Sequence, residues 1–481
     1  MRLGPKSRVA VIGAGPGGVV AAKHLIEAGI SPTVFEASDD LGGQWYVSAP
    51  HSGVWPGMRT NTSRAMTAFS DGAVPNDHEL HPRAEQIHAY LRSYASAFDV
   101  TPVIRTDAAV HSVEPGWVVD GERFDAVVVA SGRFRRPFVP PGLGAFTGRL
   151  LHAYDYPGAQ AFRDGRTLVY GNGVSGHEIA ADIATVSPVI SSFRKPRYVL
   201  PKNVAGVSSD WQWYTYFGVL QRRSMPRDEF GRMLRDRVVR VAGHPADFGA
   251  PPPDDDILVA GHSLSQDYLQ LVGAGRIRCL PGIAHVDGRT VTFTDGTVET
   301  VDTIVCATGY HVDIPYLGDD VWRITGPQLA LHHHTVHPDL PGLGFIGQFA
   351  LQGPYFPLLE LQARWIAGLW SGQVAAADDA EMRLSVARAP DPVVSHNVLA
   401  VALSEAMGVA PDLAARPDLA EPLIFGPMLP VRYRLDGPGS RPDAAERFRQ
   451  QLAASPRAAV DLADLALLDT LGLGHLVPVL T

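Results

Sequence analysis

The stretch SRVAVIGAGPGGVVAAKHLIEAGISPTVFEAS, residues 7–38, decides the fold. Val9, Val11 and Ile12 read as a short buried strand. Gly13, Gly15 and Gly18 then match G-x-G-x-x-G. A small, apolar helix (Val20 to Ala28) stops at Gly29, and a second strand ends at Glu36. Each glycine answers a separate need: a tight turn, close approach of backbone to a pyrophosphate, and close helix–strand packing. The helix N-terminus then faces the anion. A carboxylate at the end of the second strand suits a free ribose 2′-hydroxyl, as in FAD or NAD.

The pattern returns in TLVYGNGVSGHEIAADIATVSPVISSFRKP, residues 167–196, with Gly171, Gly173, Ser175 and Gly176 in the turn. Arg194 stands at the same offset from Gly171 as Glu36 does from Gly13, with Lys195 beside it and Arg197 close behind. Two cations where the first unit has an acid suit a 2′-phosphate, so the second site is expected to take NADPH and the first FAD. Both units close alike. FDAVVVASG (124–132) and VDTIVCATG (301–309) are apolar strands led by Asp and ended by A-[ST]-G. Turn glycines before each predict hairpins. The chain reads as a divergent duplication of one nucleotide-binding fold.

The fold class is therefore α/β: two dinucleotide-binding, Rossmann-like domains, with the NADPH domain inserted into the FAD domain. The expected division is 1–155 for the first part of the FAD domain and 156–315 for the NADPH domain. Within the latter, 203–275 are a helical insertion. Residues 316–445 return to the FAD domain, and 446–481 form a C-terminal docking helix.

Composition agrees. The chain has 481 residues, too many for one ordinary core, and its 46% hydrophobic and 19% charged content is that of a folded globular protein. A net charge of −9 disfavours non-specific nucleic-acid binding. Cys279 and Cys306 form no C-x-x-C pair or metal cluster, which fits a reducing, cytoplasmic setting. No apolar run predicts a membrane span, and no signal peptide is expected. The run HHHTVH (His332 to His334, His337) lacks an accompanying carboxylate pattern, and adjacent histidines in a loop point apart, so no metal site is expected.

FTGRLLHAYDY (146–156) adds a more specific signal. Phe146, Gly148, His152 and Tyr156 satisfy F-x-G-x-x-x-H-x-x-x-[YF] between the two glycine-rich turns. With GGQW (Gly42 to Trp45), Asn61 in RTNTS, and Thr308 and Gly309 in ATGY, the chain resembles the flavin-containing monooxygenases, class B flavoprotein monooxygenases. The resemblance spans roughly residues 8 to 370. It implies that NADPH reduces FAD and that the reduced flavin adds O2 to give a C4a-(hydro)peroxyflavin. A nucleophilic nitrogen or sulfur of a small organic substrate then takes one oxygen. Baeyer–Villiger relatives typically carry Trp where this chain has Tyr156, which leans the reading toward heteroatom oxygenation; Pro157 departs from the commonest pattern. Ketone insertion and an uncoupled NADPH oxidase are the alternatives, and a non-catalytic flavoprotein sensor is a third.

By the same resemblance Asn61 is the catalytic residue, an amide that donates and accepts without titrating. Gly43, Gln44, Trp45, Val110 (through its backbone) and Gln348 are expected at FAD, and His152 and Tyr156 are structural. The segment GPYFPLLELQARW (353–365) is expected to begin a helix at Pro357 whose N-terminus faces the flavin. DWQWYTYFGV (210–219) either lines a substrate pocket or packs between helices. A homodimer is carried as an expectation.

Overall fold

The computed structural model describes residues 1–50, 52–75, 78–388, 393–453 and 462–476. Two five-stranded sheets organise it, and every strand pair in both is parallel. The first runs Leu343–Phe345, Ala126–Val129, Arg8–Ile12, Ser31–Phe35, Ile104–Arg105. The second runs Ile277–Leu280, Val189–Ser192, Thr167–Tyr170, Thr303–Cys306, Arg149–His152. Parallel sheets need both faces covered, and the central strands are apolar throughout for that reason. Val9, Ala10, Val11 and Val127 to Val129 are fully buried.

The first sheet is completed only by Leu343–Phe345, after the whole second sheet has been made, so the second unit is inserted in the first. One expectation shifts. Arg149–His152, assigned from sequence to the first unit, pairs with Thr303–Cys306 as the edge of the second sheet. The motif residues therefore lie inside the second unit rather than before it. The two crossings run side by side: Arg136–Pro137 pairs antiparallel with Tyr310–His311. Phe138 N–H donates to Gly309 O at 2.9 Å, the Thr308 hydroxyl donates to Phe138 O, and His152 Nε2 donates to Gly309 O at 3.1 Å.

The anticipated hairpins are three-stranded antiparallel ribbons: Val113–Glu114, Val118–Val119, Glu122–Arg123 in the first unit, and Ile283–Asp287, Thr290–Phe293, Val298–Thr300 in the second. Residues 203–275 carry helices, among them Tyr216–Ser224 and Arg227–Ala242. Of the C-terminal segment, Ala444–Ala453 buries Phe448 and Leu452. Leu462–Thr470 seats Leu468 against Phe217 and Ile424. Residues 454–461 and 477–481 of that segment lie outside the described residues.

A buried charged network joins distant parts of the first unit. Arg434 donates to Ser70 Oγ at 2.6 Å, Asp71 at 3.0 Å and Glu360 at 2.9 Å, and Lys23 pairs with Asp71 at 2.5 Å. The neighbouring His24 and the Arg434 guanidinium hold Glu360 well below the usual carboxylate range, against the upward pull of its burial. Among the described residues no helix is long and apolar enough to cross a membrane.

Candidate dinucleotide and oxygenation site

Both glycine turns take the shape their sequences require. Gly13 and Gly171 sit at φ +101° and +126°, in the left-handed half of the map. A Cβ on Gly18 would fall 1.8 Å from Gly13 O, and one on Gly176 2.1 Å from Gly171 O, so only glycine lets each helix close onto its turn. The helices that follow, Pro16–Glu27 and Val174–Ala184, begin at Gly15 and Gly173 with no side-chain cap. Their first N–H groups are left for a ligand, and the positive end of the dipole favours an anion.

Both turns open on one cavity of about 620 Å3, within the range of cofactor sites. Gly13, Gly15, Glu36, Gly43, Gln44, Trp45, Asn61 and Val110 line it from the first unit. His152, Gly173, Ser175 and Gly309 line it from the second. Glu36 is buried, and its two oxygens accept Ala14 N–H at 2.7 Å and Ser38 N–H at 2.9 Å. The carboxylate thus braces the turn that must face a phosphate while standing in the cavity wall. The helix Phe356–Ser371 has Pro357 in its first turn and no side-chain cap, and Tyr355, Phe356 and Leu359 at its start form another wall.

Asn61 is half-buried in that wall, on a loop fixed from both sides. The Thr60 hydroxyl donates to Thr62 O at 2.7 Å. Asp210, from the inserted segment, accepts from Ser63 N–H at 2.6 Å and Ser63 Oγ at 3.0 Å, and Trp211 Nε1 donates to Ser63 Oγ at 3.0 Å. Burial raises the pKa of Asp210, and its hydrogen bonds pull the other way.

Other expected residues lie elsewhere. Gly18, Gly171 and Gly176 act through packing. Gln348 is buried with neither amide atom partnered among the described residues, and its neighbours Ile346 and Gly347 form the cavity wall instead. Tyr156 donates to Asp182 Oδ2 at 2.7 Å and meets Trp55 edge-on, tying the two units together. Phe146 is buried, and a Cβ on Gly148 would fall 2.5 Å from Asp302 O. Arg194 and Lys195 are exposed in the turn beyond Ser192 and do not line the cavity. Arg197 is the cation of that segment that lines the cavity, and burial lowers its pKa.

Among the wall residues that went unremarked in the sequence as site residues are Arg197, His262 and Gln352. His262 is held down to about 4 by burial and by Arg197, and Gln352 Nε2 lies 3.0 Å from its ring. The cation was legible in RKPR, but which side of Pro196 would face inward was not. In the aromatic segment 210–219, Tyr214 lines the cavity, while Trp211 and Phe217 pack in cores. The His332 and His333 rings lie 4.0 Å apart, tilted by 42°, and pack on Trp365.

Comparison with known proteins matches this arrangement. The family model described as flavin-binding monooxygenase-like matches residues 6–453. N-oxide-forming dimethylaniline monooxygenase 2 of Rattus norvegicus is 30% identical over 478 residues, covering 90% of this chain and 89% of that protein. Among solved structures, the S-allyl-L-cysteine S-oxygenase of Allium sativum superposes with a TM-score of 0.62 at 21% identity, covering 94% of this chain and 99% of that one. A closed cyclohexanone monooxygenase superposes with a TM-score of 0.58 at 16% identity, covering 84% and 97%.

Proposed function

The chain belongs to the flavin-binding monooxygenase-like family, and from that premise we propose that it oxygenates a nucleophilic nitrogen or sulfur centre of a small organic molecule. The balance is one substrate, O2, NADPH and a proton giving oxygenated substrate, water and NADP+. FAD supplies the oxygen chemistry when bound and NADPH supplies the hydride. The carrying observation is that one cavity is lined at once by the first glycine turn, by the second and by Asn61.

In this reading the chain's own residues bind, orient and exclude water. The uncapped helix at Gly15 takes the flavin pyrophosphate, Glu36 its ribose, and the Val110 backbone its adenine. Gln44 and Trp45 lie along the ring system. The uncapped helix at Gly173, with Ser175, takes the NADPH pyrophosphate. Arg194 and Lys195, in the turn beyond Ser192, hold the 2′-phosphate, and Arg197 adds positive charge inside. Asn61 holds a hydrogen bond at the reacting centre without changing its protonation. Trp55, Tyr214, Tyr310 and Tyr355 give the cavity an apolar wall that keeps water away. Burial pushes the Tyr310 and Tyr355 hydroxyls up to about 12, so both stay neutral at working pH.

Heteroatom oxygenation is favoured over ketone insertion by the N-oxide-forming relative and by Tyr156. Incubating the flavin-loaded enzyme with NADPH, air and either a thioether, a tertiary amine or a cyclic ketone tests this. Sulfoxide or N-oxide formed in step with NADPH use is the expected result. A lactone as the sole product overturns it in favour of ketone insertion. Hydrogen peroxide matching NADPH in every case makes the protein an oxidase, and absence of NADPH turnover makes it a sensor.

A further inference from the structure

A second cavity, of about 50 Å3, lies where the helices Tyr216–Ser224 and His396–Met407 meet the turn Pro430–Arg434. Its polar wall groups are Tyr216, Ser404, Glu405, Arg432 and Tyr433. Arg432 is 2% exposed, yet its Nε and Nη1 reach no acceptor among the described residues. The buried Tyr433 hydroxyl is equally unpartnered. The remaining groups are committed. Glu405 accepts Arg223 at 3.2 and 3.3 Å, and the Ser404 hydroxyl donates to Val401 O at 2.9 Å.

Other buried arginines nearby differ. Arg434 binds Ser70, Asp71 and Glu360, and Arg364 donates to Tyr433 O and Pro438 O. Arg432 has only the rings of Tyr216 and Tyr433, with centroids 5.9 and 5.7 Å from its guanidinium carbon. Aromatic rings offset part of a positive charge but accept no in-plane N–H bonds. Burying a charge without a hydrogen-bonded counter-charge is strongly unfavourable. A guanidinium does not escape by losing its proton.

The cavity's size limits the remedy. At about 50 Å3 the space suits a guest of a few atoms rather than an organic cofactor. Water would satisfy donors but leave the charge uncompensated. We propose that this cavity binds a halide-sized monoanion, held against the Arg432 guanidinium with the Tyr433 hydroxyl as a further donor. The ion pins two helices and a turn together. Tyr214, which lines the large cavity, packs on His396 at the start of one of those helices.

The test uses the full-length, flavin-loaded protein. Thermal unfolding is followed in sodium chloride, sodium bromide and sodium gluconate at equal ionic strength. Chloride and bromide are expected to raise the midpoint saturably, by about 1–3 °C over gluconate. Arg432→Met, which keeps the volume and removes the charge, abolishes that difference. Bromide-soaked crystals of the unaltered protein should show an anomalous peak within hydrogen-bond reach of Arg432, a readout that holds even where the variant fails to fold. A halide response of full size in Arg432→Met, or soaked crystals with no bromide in the cavity, overturns the proposal.

Discussion

Replacing Glu36 by alanine separates the two tasks of one carboxylate. In the folded protein it accepts Ala14 N–H at 2.7 Å and Ser38 N–H at 2.9 Å in a buried setting. Removing it strands two backbone donors at about 1–3 kcal/mol each, so the flavin-free protein loses about 2–6 kcal/mol. The bond proposed to the flavin ribose is charge-assisted, and its loss adds about 1.5–3 kcal/mol, a weakening of FAD by about 10- to 150-fold. Glu36→Gln keeps one acceptor but turns an NH2 toward the second amide, so it should fall between. Apoprotein stability is measured by denaturant unfolding, and affinity by titrating FAD against the protein's intrinsic fluorescence. A destabilised apoprotein with unchanged FAD affinity refutes the ribose assignment. Unchanged apoprotein stability refutes the bracing role.

Asn61→Ala should retain flavin but divert NADPH into hydrogen peroxide; product yield per NADPH equal to that of the unaltered enzyme would remove Asn61 from the chemistry. Arg194→Ala should weaken NADPH by about 10- to 150-fold, worth about 1.5–3 kcal/mol, with little change for NADH. Equal losses for both would point away from the 2′-phosphate. Arg434→Met leaves the buried Glu360 without its guanidinium and Asp71 with Lys23 as its remaining cation, and should cost about 3–5 kcal/mol in denaturant unfolding. Burial holds His396 down to about 4, below the ordinary histidine value of 6.5. The unfolded chain therefore binds its proton first. The contribution is present above about pH 6.5 and is lost as pH falls toward 4, by about 1–1.5 kcal/mol at pH 5.5. His396→Gln should flatten stability against pH over that window by this amount.

What was legible in the sequence was local. Gly13 and Gly171 are set by the turn each must make, and the strands beside them by continuous apolar runs. Both could be read without knowing what they touch. Arg149–His152 was not recognisable as a strand: it is four residues long, at an edge, and carries polar ends, so only its partner Thr303–Cys306 defines it. Asn61 was found by resemblance, but the brace beneath it was not, because Ser63 and Asp210 are distant in sequence and meet only through packing. The Arg432 cavity was invisible for the same reason. Its three walls come from separate helices and a turn, and a buried arginine is written no differently from an exposed one.

The paired crossings at Arg136–Pro137 and Tyr310–His311 also bear on how the chain is made. During synthesis, every strand of the second sheet has emerged once Cys306 has, whereas the first sheet waits for Leu343–Phe345. The nascent first unit must therefore hold an open β-edge through about two hundred residues of translation, a interval in which Ala126–Val129 lacks a neighbour on one side. A ribosome-bound chain halted once Tyr310 has cleared the exit tunnel should thus carry a protease-resistant second unit beside a protease-sensitive first one.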